Sequence, residues 1–334
     1  MSDDLLPAPE THVDTERALA RLRARIERER IVPVTHVAPA PRRMRVNLWT
    51  KGLAAAATVA LVATALTISG VAESIITIFE PKQVAAVPIT VSDLSGTSGF
   101  GAFGTLTWST PPKPYDVPDL ATAAKESGLS VLAPGTLPAG VGTARYGVMP
   151  QTTATFTFSA EKTRQSAARQ GRTPPPMPAN IDGSKLFITG GPAVVTIWED
   201  GTRPADATRR PDSAQDPFAA LPKLVIAQGK APVVKSDGVT VEQLQSYLLA
   251  QPGVTPQLAA QIRAIKDPSS TLPIPVPIDY ATSKKVTVQG TEGVFIGDST
   301  GLGSAVIWQK GGIVYGVAGR LTEAECLAVA NSLH

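Results

Sequence analysis

The sequence predicts an α+β chain: a single transmembrane helix followed by an extracytoplasmic domain of antiparallel sheet packed with helices. Three observations predict it. The stretch Gly52–Ala72 carries no charged residue. The C-terminal region alternates apolar and polar residues in four short runs separated by glycine-containing turns. Helix-start signatures stand at Thr240, Thr255 and Thr322, each just before an apolar stripe. The 334 residues include 28 Gly and 30 Pro and only 5% aromatics. Such a composition suits a loop-rich body rather than a helical bundle.

In chain order, residues 1–46 form a basic tail. Residues 1–13 read as disordered, and a helix is expected from Asp14, a good N-cap. Leu19, Leu22 and Ile26 make one narrow apolar stripe, with Arg23 and its neighbours on the charged faces. Alone, this helix is too short and too charged to be stable. It suits a membrane surface, a partner helix or a solvated tail. Residues 31–41 are a Pro/Val/Ala linker of extended character.

Residues 48–79 are expected to be a transmembrane signal anchor. At about 1.5 Å per residue the uncharged run, from Gly52 through Leu61 to Ala72, spans roughly 31 Å, the thickness of a hydrocarbon core. Trp49 stands where an interfacial anchor belongs. The run is too long and starts too far into the chain for a cleaved signal peptide. Arg42, Arg43, Arg45 and Lys51 precede it, and Glu73 and Glu80 follow. The positive-inside rule then puts the N-terminus in the cytoplasm and the C-terminal body outside the cell membrane. The net charge of +3 belongs to the first 51 residues, so the body is neutral and the basic pI of the whole chain is no sign that the body binds nucleic acid.

Residues 80–130 read as a β-rich segment next to the membrane, with strands near Val87–Val91 and Gly104–Trp108 and a short helix over Asp119–Ser127. Residues 131–334 read as the extracytoplasmic α+β domain. In it Ala154–Ala160 alternates as a strand, and Glu161–Arg172 is a short helix or a loop. Lys185–Ile188 and Ala193–Glu199 read as a hairpin around Gly190-Gly191-Pro192, and residues 200–218 as a mobile surface loop. Leu224–Gln228 is a further strand. Thr240 with Gln243, and Thr255 with Pro256, start two consecutive helices. Leu272-Pro273-Ile274-Pro275-Val276-Pro277 is extended, since alternate prolines forbid a helix or a sheet interior. Lys285–Gln289, Gly293–Gly297, Ser304–Gln309 and Ile313–Gly319 are four antiparallel strands, closed by a helix that Thr322 and Glu325 cap. The stretches 183–198 and 290–308 echo each other, both ending in Ile-Trp; shared composition accounts for this as well as a duplication does.

The chemistry-bearing motifs are weak. Gly99-Phe100-Gly101-Ala102-Phe103-Gly104 matches a dinucleotide-binding pattern, but a strand follows it where a helix N-terminus is needed. Gly297-Asp298-Ser299 lacks the histidine that would take the serine proton, because His12, His36 and His334 are the only histidines. One cysteine, Cys326, and three scattered histidines cannot build a zinc site. Cys326 itself reads as a small core residue. The expectation is therefore no catalytic site, no cofactor, no metal and no nucleic-acid partner.

From Pro134-x-x-Leu137-Pro138-x-Gly140 to the end, the helix pair, the proline-alternating run, the GDSTGLGSAVIW stretch at 297–308 and the final helix resemble a known type of domain. It is the extracytoplasmic domain of bacterial membrane-anchored, anti-sigma-factor-like proteins. The resemblance covers residues 130–334 and implies a sensor or lipoprotein-carrier-like fold, a curved antiparallel sheet packed with helices. It also implies a non-enzymatic regulator whose tail, through Leu19, Leu22, Arg23 and Ile26, meets a cytoplasmic partner such as a sigma factor. The tail departs from the zinc-type pattern of that group, having no His-x-x-x-Cys-x-x-Cys motif. A passive envelope binding or carrier module for an apolar ligand is the alternative expectation.

Overall fold

The protein is described by a computed structural model over residues 75–90, 93, 100–201, 221–298, 301 and 303–334. Of these residues, 44% lie in strands and 21% in helices. The expected architecture is corrected accordingly. The body is mostly β, and its short helices cover three sheets. The reason lies in β-branched, alternating runs such as TTATFTF and AVVTIWED, whose stiff side chains pack best on a pleated surface.

The membrane helix is corrected as well. Among the described residues no helix is long and apolar enough to cross a membrane. A span needs about 20 residues, and the longest helix here has 10. Trp49, Gly52, Leu61 and Ala72 lie outside the described residues, as do Leu19, Leu22, Arg23 and Ile26 and the loop at 202–220. The single-pass, signal-anchor topology and the localisation drawn from it lose their support and are not carried further.

The largest sheet has eight antiparallel strands in the order β12 (Ala281–Val288), β13 (Thr291–Asp298), β14 (Ser304–Lys310), β15 (Ile313–Gly319), β9 (Leu224–Lys230), β8 (Ala193–Asp200), β5 (Val141–Met149), β4 (Tyr115–Val117). On one face, α5 (Glu323–Asn331) packs over β12, β14 and β15, and α1 (Leu120–Ser127) over β5 and β8. Trp308 is fully buried there and stacks on its cross-strand partner Tyr315, ring centroids 5.2 Å apart. Gln228 is buried on the same sheet. Its side-chain amide donates to the Leu132 carbonyl (2.7 Å) and accepts from the Leu132 N–H (2.8 Å), pinning the 129–134 segment as a backbone ladder would.

A second sheet has the order β1 (Ile76–Phe79), β10 (Val233–Ser236), β7 (Lys185–Gly190), β6 (Thr152–Phe158), β3 (Gly104–Thr110). Here the expected hairpin at 185–199 is corrected. β7 and β8 do not pair with each other: β7 lies between β6 and β10, and β8 between β5 and β9. They are consecutive strands in two different sheets, joined through Gly191 (φ 64) and Pro192. The runs 141–158, 185–200 and 224–236 all pass from the large sheet into the second one along a single line. Each carries a proline on that line, Pro150, Pro192 or Pro232. Proline has no N–H to give a ladder, so three neighbouring prolines break the sheet at one seam. By contrast β13 and β14 do form a hairpin, so the echo between the two stretches is compositional rather than structural.

The third sheet is a parallel pair, β2 (Gln83–Ile89) with β11 (Thr271–Pro277). In a parallel pair only alternate residues of a strand turn N–H and C=O toward the partner. The Ile278 N–H donates to the Ile89 carbonyl, which places the even residues of β11 and the odd residues of β2 on the shared side. Pro273, Pro275, Pro277 and Pro88 therefore all point their ring nitrogens away from the pairing, where no donor is needed. The same alternation buries Leu272, Ile274 and Val276 against β13 and β14.

Candidate functional site

Three helices and a turn surround a groove in the described structure. α3 (Val241–Leu249) starts at the capping box that its sequence predicts, Thr240 with Gln243, and buries Leu244 and Tyr247 against Phe156, Phe158 and Val234 of the second sheet. α4 (Pro256–Arg263) starts at Thr255 with Pro256 in its first turn. It presents Leu258 and Ile262 to Val87 and Ile89 of the parallel pair. The two consecutive helices are thus committed to different sheets. α2 (Ala160–Arg169), capped by Ser159, forms the third wall, with the 3-10 turn Phe100–Ala102 beside it.

The walls are tied by polar contacts at their edges. The Gln245 amide donates to the Ile262 carbonyl (3.2 Å), linking α3 to α4. The Arg172 guanidinium donates to the Pro252 carbonyl (3.2 Å), linking the end of α2 to the turn between α3 and α4. At the start of α4, Asp93 is buried and accepts from the Thr255 hydroxyl (2.8 Å), the Thr90 N–H (2.8 Å) and the Thr90 hydroxyl (2.8 Å). The Thr90 N–H, with the two hydroxyls, holds its carboxyl below the usual range.

The groove encloses about 380 Å³, within the range of about 300–1,000 Å³ typical of small-molecule sites. Leu248, Leu249, Val254, Leu258 and Ile262 line one side; Ala102, Phe103 and Ala167 line the other. Polar groups come from Thr163, Ser166, Gln170, Arg172 and Gln251. The Tyr247 hydroxyl is buried beside Thr163 and Gln251, and burial pushes its pKa up. Among the described residues, no histidine, cysteine or carboxylate belongs to the lining. The Thr163 and Ser166 hydroxyls therefore have no base in it to activate them, and the arrangement suits binding.

The motifs singled out in the sequence resolve in different ways. After the 3-10 turn the GxGxxG run enters β3 directly, and a side chain at Gly104 would collide with the Thr157 carbonyl. Ala102 and Phe103 of this run line the groove instead. Asp298 accepts from the Gly303 N–H (3.1 Å) in a turn, and Ser299 lies outside the described residues. Cys326 is fully buried, its thiol directed at the Val317 carbonyl and its pKa pushed up to about 12 by burial. His334 sits at the chain end against the Ser332 carbonyl. Among the described residues no three His, Cys, Asp or Glu side chains gather as metal ligands. The groove-lining residues themselves went unnoticed in the sequence. The available signal was a surplus: Leu249 and Val254 flank Pro252-Gly253 outside the buried stripes of α3 and α4. No protein-family model, curated protein or solved structure matches the chain, so the comparisons leave the resemblance of residues 130–334 to anti-sigma-factor-like proteins without a test.

Proposed function

We propose that this chain is a non-enzymatic binding module that takes a small apolar ligand in the groove between α2, α3 and α4. One observation carries the reading: a groove of about 380 Å³ whose walls are mostly aliphatic, with polar groups confined to a few hydroxyls, amides and one arginine. Apolar surface left open in this way gains by covering, at about 25 cal/mol per Å² removed from water. The Ser166 hydroxyl suits one uncharged polar group at the end of an apolar body, while the Thr163 hydroxyl and the Gln251 amide donate to the Ser159 and Tyr247 carbonyls. The regulatory reading through Leu19, Leu22, Arg23 and Ile26 rests on residues outside the described structure and adds no support.

The test uses an uncharged apolar fluorophore, phenylnaphthylamine, with the full chain. Wild-type protein is expected to bind it saturably and to release it to decanol. Ser166→Trp places an indole in the groove from a partly exposed position of α2. It is expected to weaken binding by about tenfold or more, a loss of about 1.4 kcal/mol, with unchanged circular dichroism. Equal binding by both proteins contradicts the proposal.

A further inference from the structure

Among the described residues, the sheet edges are protected in different ways, with one exception. At the ends of the large sheet, β4 has only three residues, and β12 carries Lys284 and Lys285, paired with Glu323 (2.8 Å) and Glu292 (2.7 Å). In the second sheet β1 has only four residues. The outer edges of the parallel pair carry the prolines described above. Short strands, lysines and prolines are the devices that keep edges from pairing with other chains. β3 has none of them among its own residues; Lys162 of α2 donates to the Thr105 hydroxyl (2.8 Å), on the face opposite Leu106 and Trp108. Its seven residues, GTLTWST, contain no charge and no proline, and residues 105–110 are all exposed.

The open side of β3 follows from its hydrogen bonds. The Ser159 N–H donates to the Phe103 carbonyl, and the Phe158 N–H donates to Ser184 on the opposite side of β6. Up to the register shift after Trp108, odd-numbered residues of β3 therefore face β6, and Leu106 and Trp108 turn their N–H and C=O groups to the side where no other described strand pairs. Their side chains lie on the face that holds Phe156 and Phe158, where the core ends, and they stay 44% and 43% exposed.

We infer that β3 pairs antiparallel with β3 of a second copy of this chain, joining the two second sheets across a two-fold axis. The occupant follows from self-complementarity. With the axis through Thr107, Leu106 lies opposite the partner's Trp108 and Trp108 opposite the partner's Leu106, so four exposed apolar side chains form one cluster. The outward backbone groups of Leu106 and Trp108 fall into hydrogen-bonded register in the same arrangement, and no charges face each other. A single strand pair buries little area, so association belongs to the weak class, with dissociation in the micromolar range.

Thr107→Cys tests this in the full chain, because the one native thiol, Cys326, is fully buried. Across the axis two Cβ atoms stand about 4.5–5.5 Å apart, close enough to bridge with small backbone adjustment. Mild oxidation is expected to give a disulfide-linked dimer of Thr107→Cys, while Lys285→Cys on the β12 edge stays monomeric. Adding Trp108→Lys or, separately, Leu106→Lys to Thr107→Cys should slow the linkage by about tenfold or more; both sites are exposed, and circular dichroism checks the fold. Absence of a linked dimer, linkage of Lys285→Cys at the same rate, or linkage that survives both lysines overturns the inference. Coverage of β3 by another segment of the same chain would leave Thr107→Cys monomeric and overturns it too.

Discussion

Two buried polar side chains fix the backbone of segments that also pack on the apolar core. Asp93 accepts three hydrogen bonds and fixes the start of α4 through Thr255. Asp93→Ala leaves those donors unpaired and should cost about 2 kcal/mol, measured by urea unfolding at neutral pH. The pH dependence has a definite sign. The folded-state pKa of Asp93 is lowered, so its contribution is complete above the unfolded value of about 3.9 and is lost as pH falls through the lower folded value. Asp93→Asn should therefore flatten the stability profile below about pH 4. Gln228 does for residues 129–134 what Asp93 does for α4. Gln228→Ala strands both the N–H and the C=O of Leu132 and should cost about 3 kcal/mol in the same measurement. Cys326, with its thiol pKa near 12, should stay unmodified by a thiol reagent until the protein unfolds.

Among the elements, those with a local chemical signature were legible. Thr240 with Gln243 and Thr322 with Glu325 form capping boxes where the sequence places them, and Thr255-Pro256 starts α4. The meander β12–β15 follows its alternation. What escaped was long-range. Gly190-Gly191-Pro192 carries a hairpin's composition, yet the chain passes there from the second sheet into the large one, because the partners of β7 and β8 are other strands. β5 was missed because a bulge between Val141 and Ala144 breaks its alternation. The proline-alternating run was rightly extended, but only its parallel pairing with β2, 188 residues away, explains the spacing. That pairing makes a graded prediction. Ile274→Ala, in the core, should cost about 3 kcal/mol by urea unfolding. Pro275→Ala, with its nitrogen turned outward, should change stability by less than about 1 kcal/mol.

At the scale of the whole molecule, composition announced a loop-rich body, and the α+β class expected for it gave way to described residues that are mostly β. The weight given to one uncharged run led the sequence reading to a membrane helix that the described structure does not contain. The groove was hidden for a different reason. Each wall is an ordinary amphipathic helix, and the opening exists only because α3 and α4 are drawn to different sheets. Its function as a binding site is the central claim, and methyl NMR of the full chain tests it most directly. On titration with decanol, the methyl signals of Leu248, Leu249, Val254, Leu258 and Ile262 should shift together and saturate, while those of Leu272, Ile274 and Val276 stay in place. Shifts scattered over the surface, or none at the groove at saturating ligand, would contradict the account.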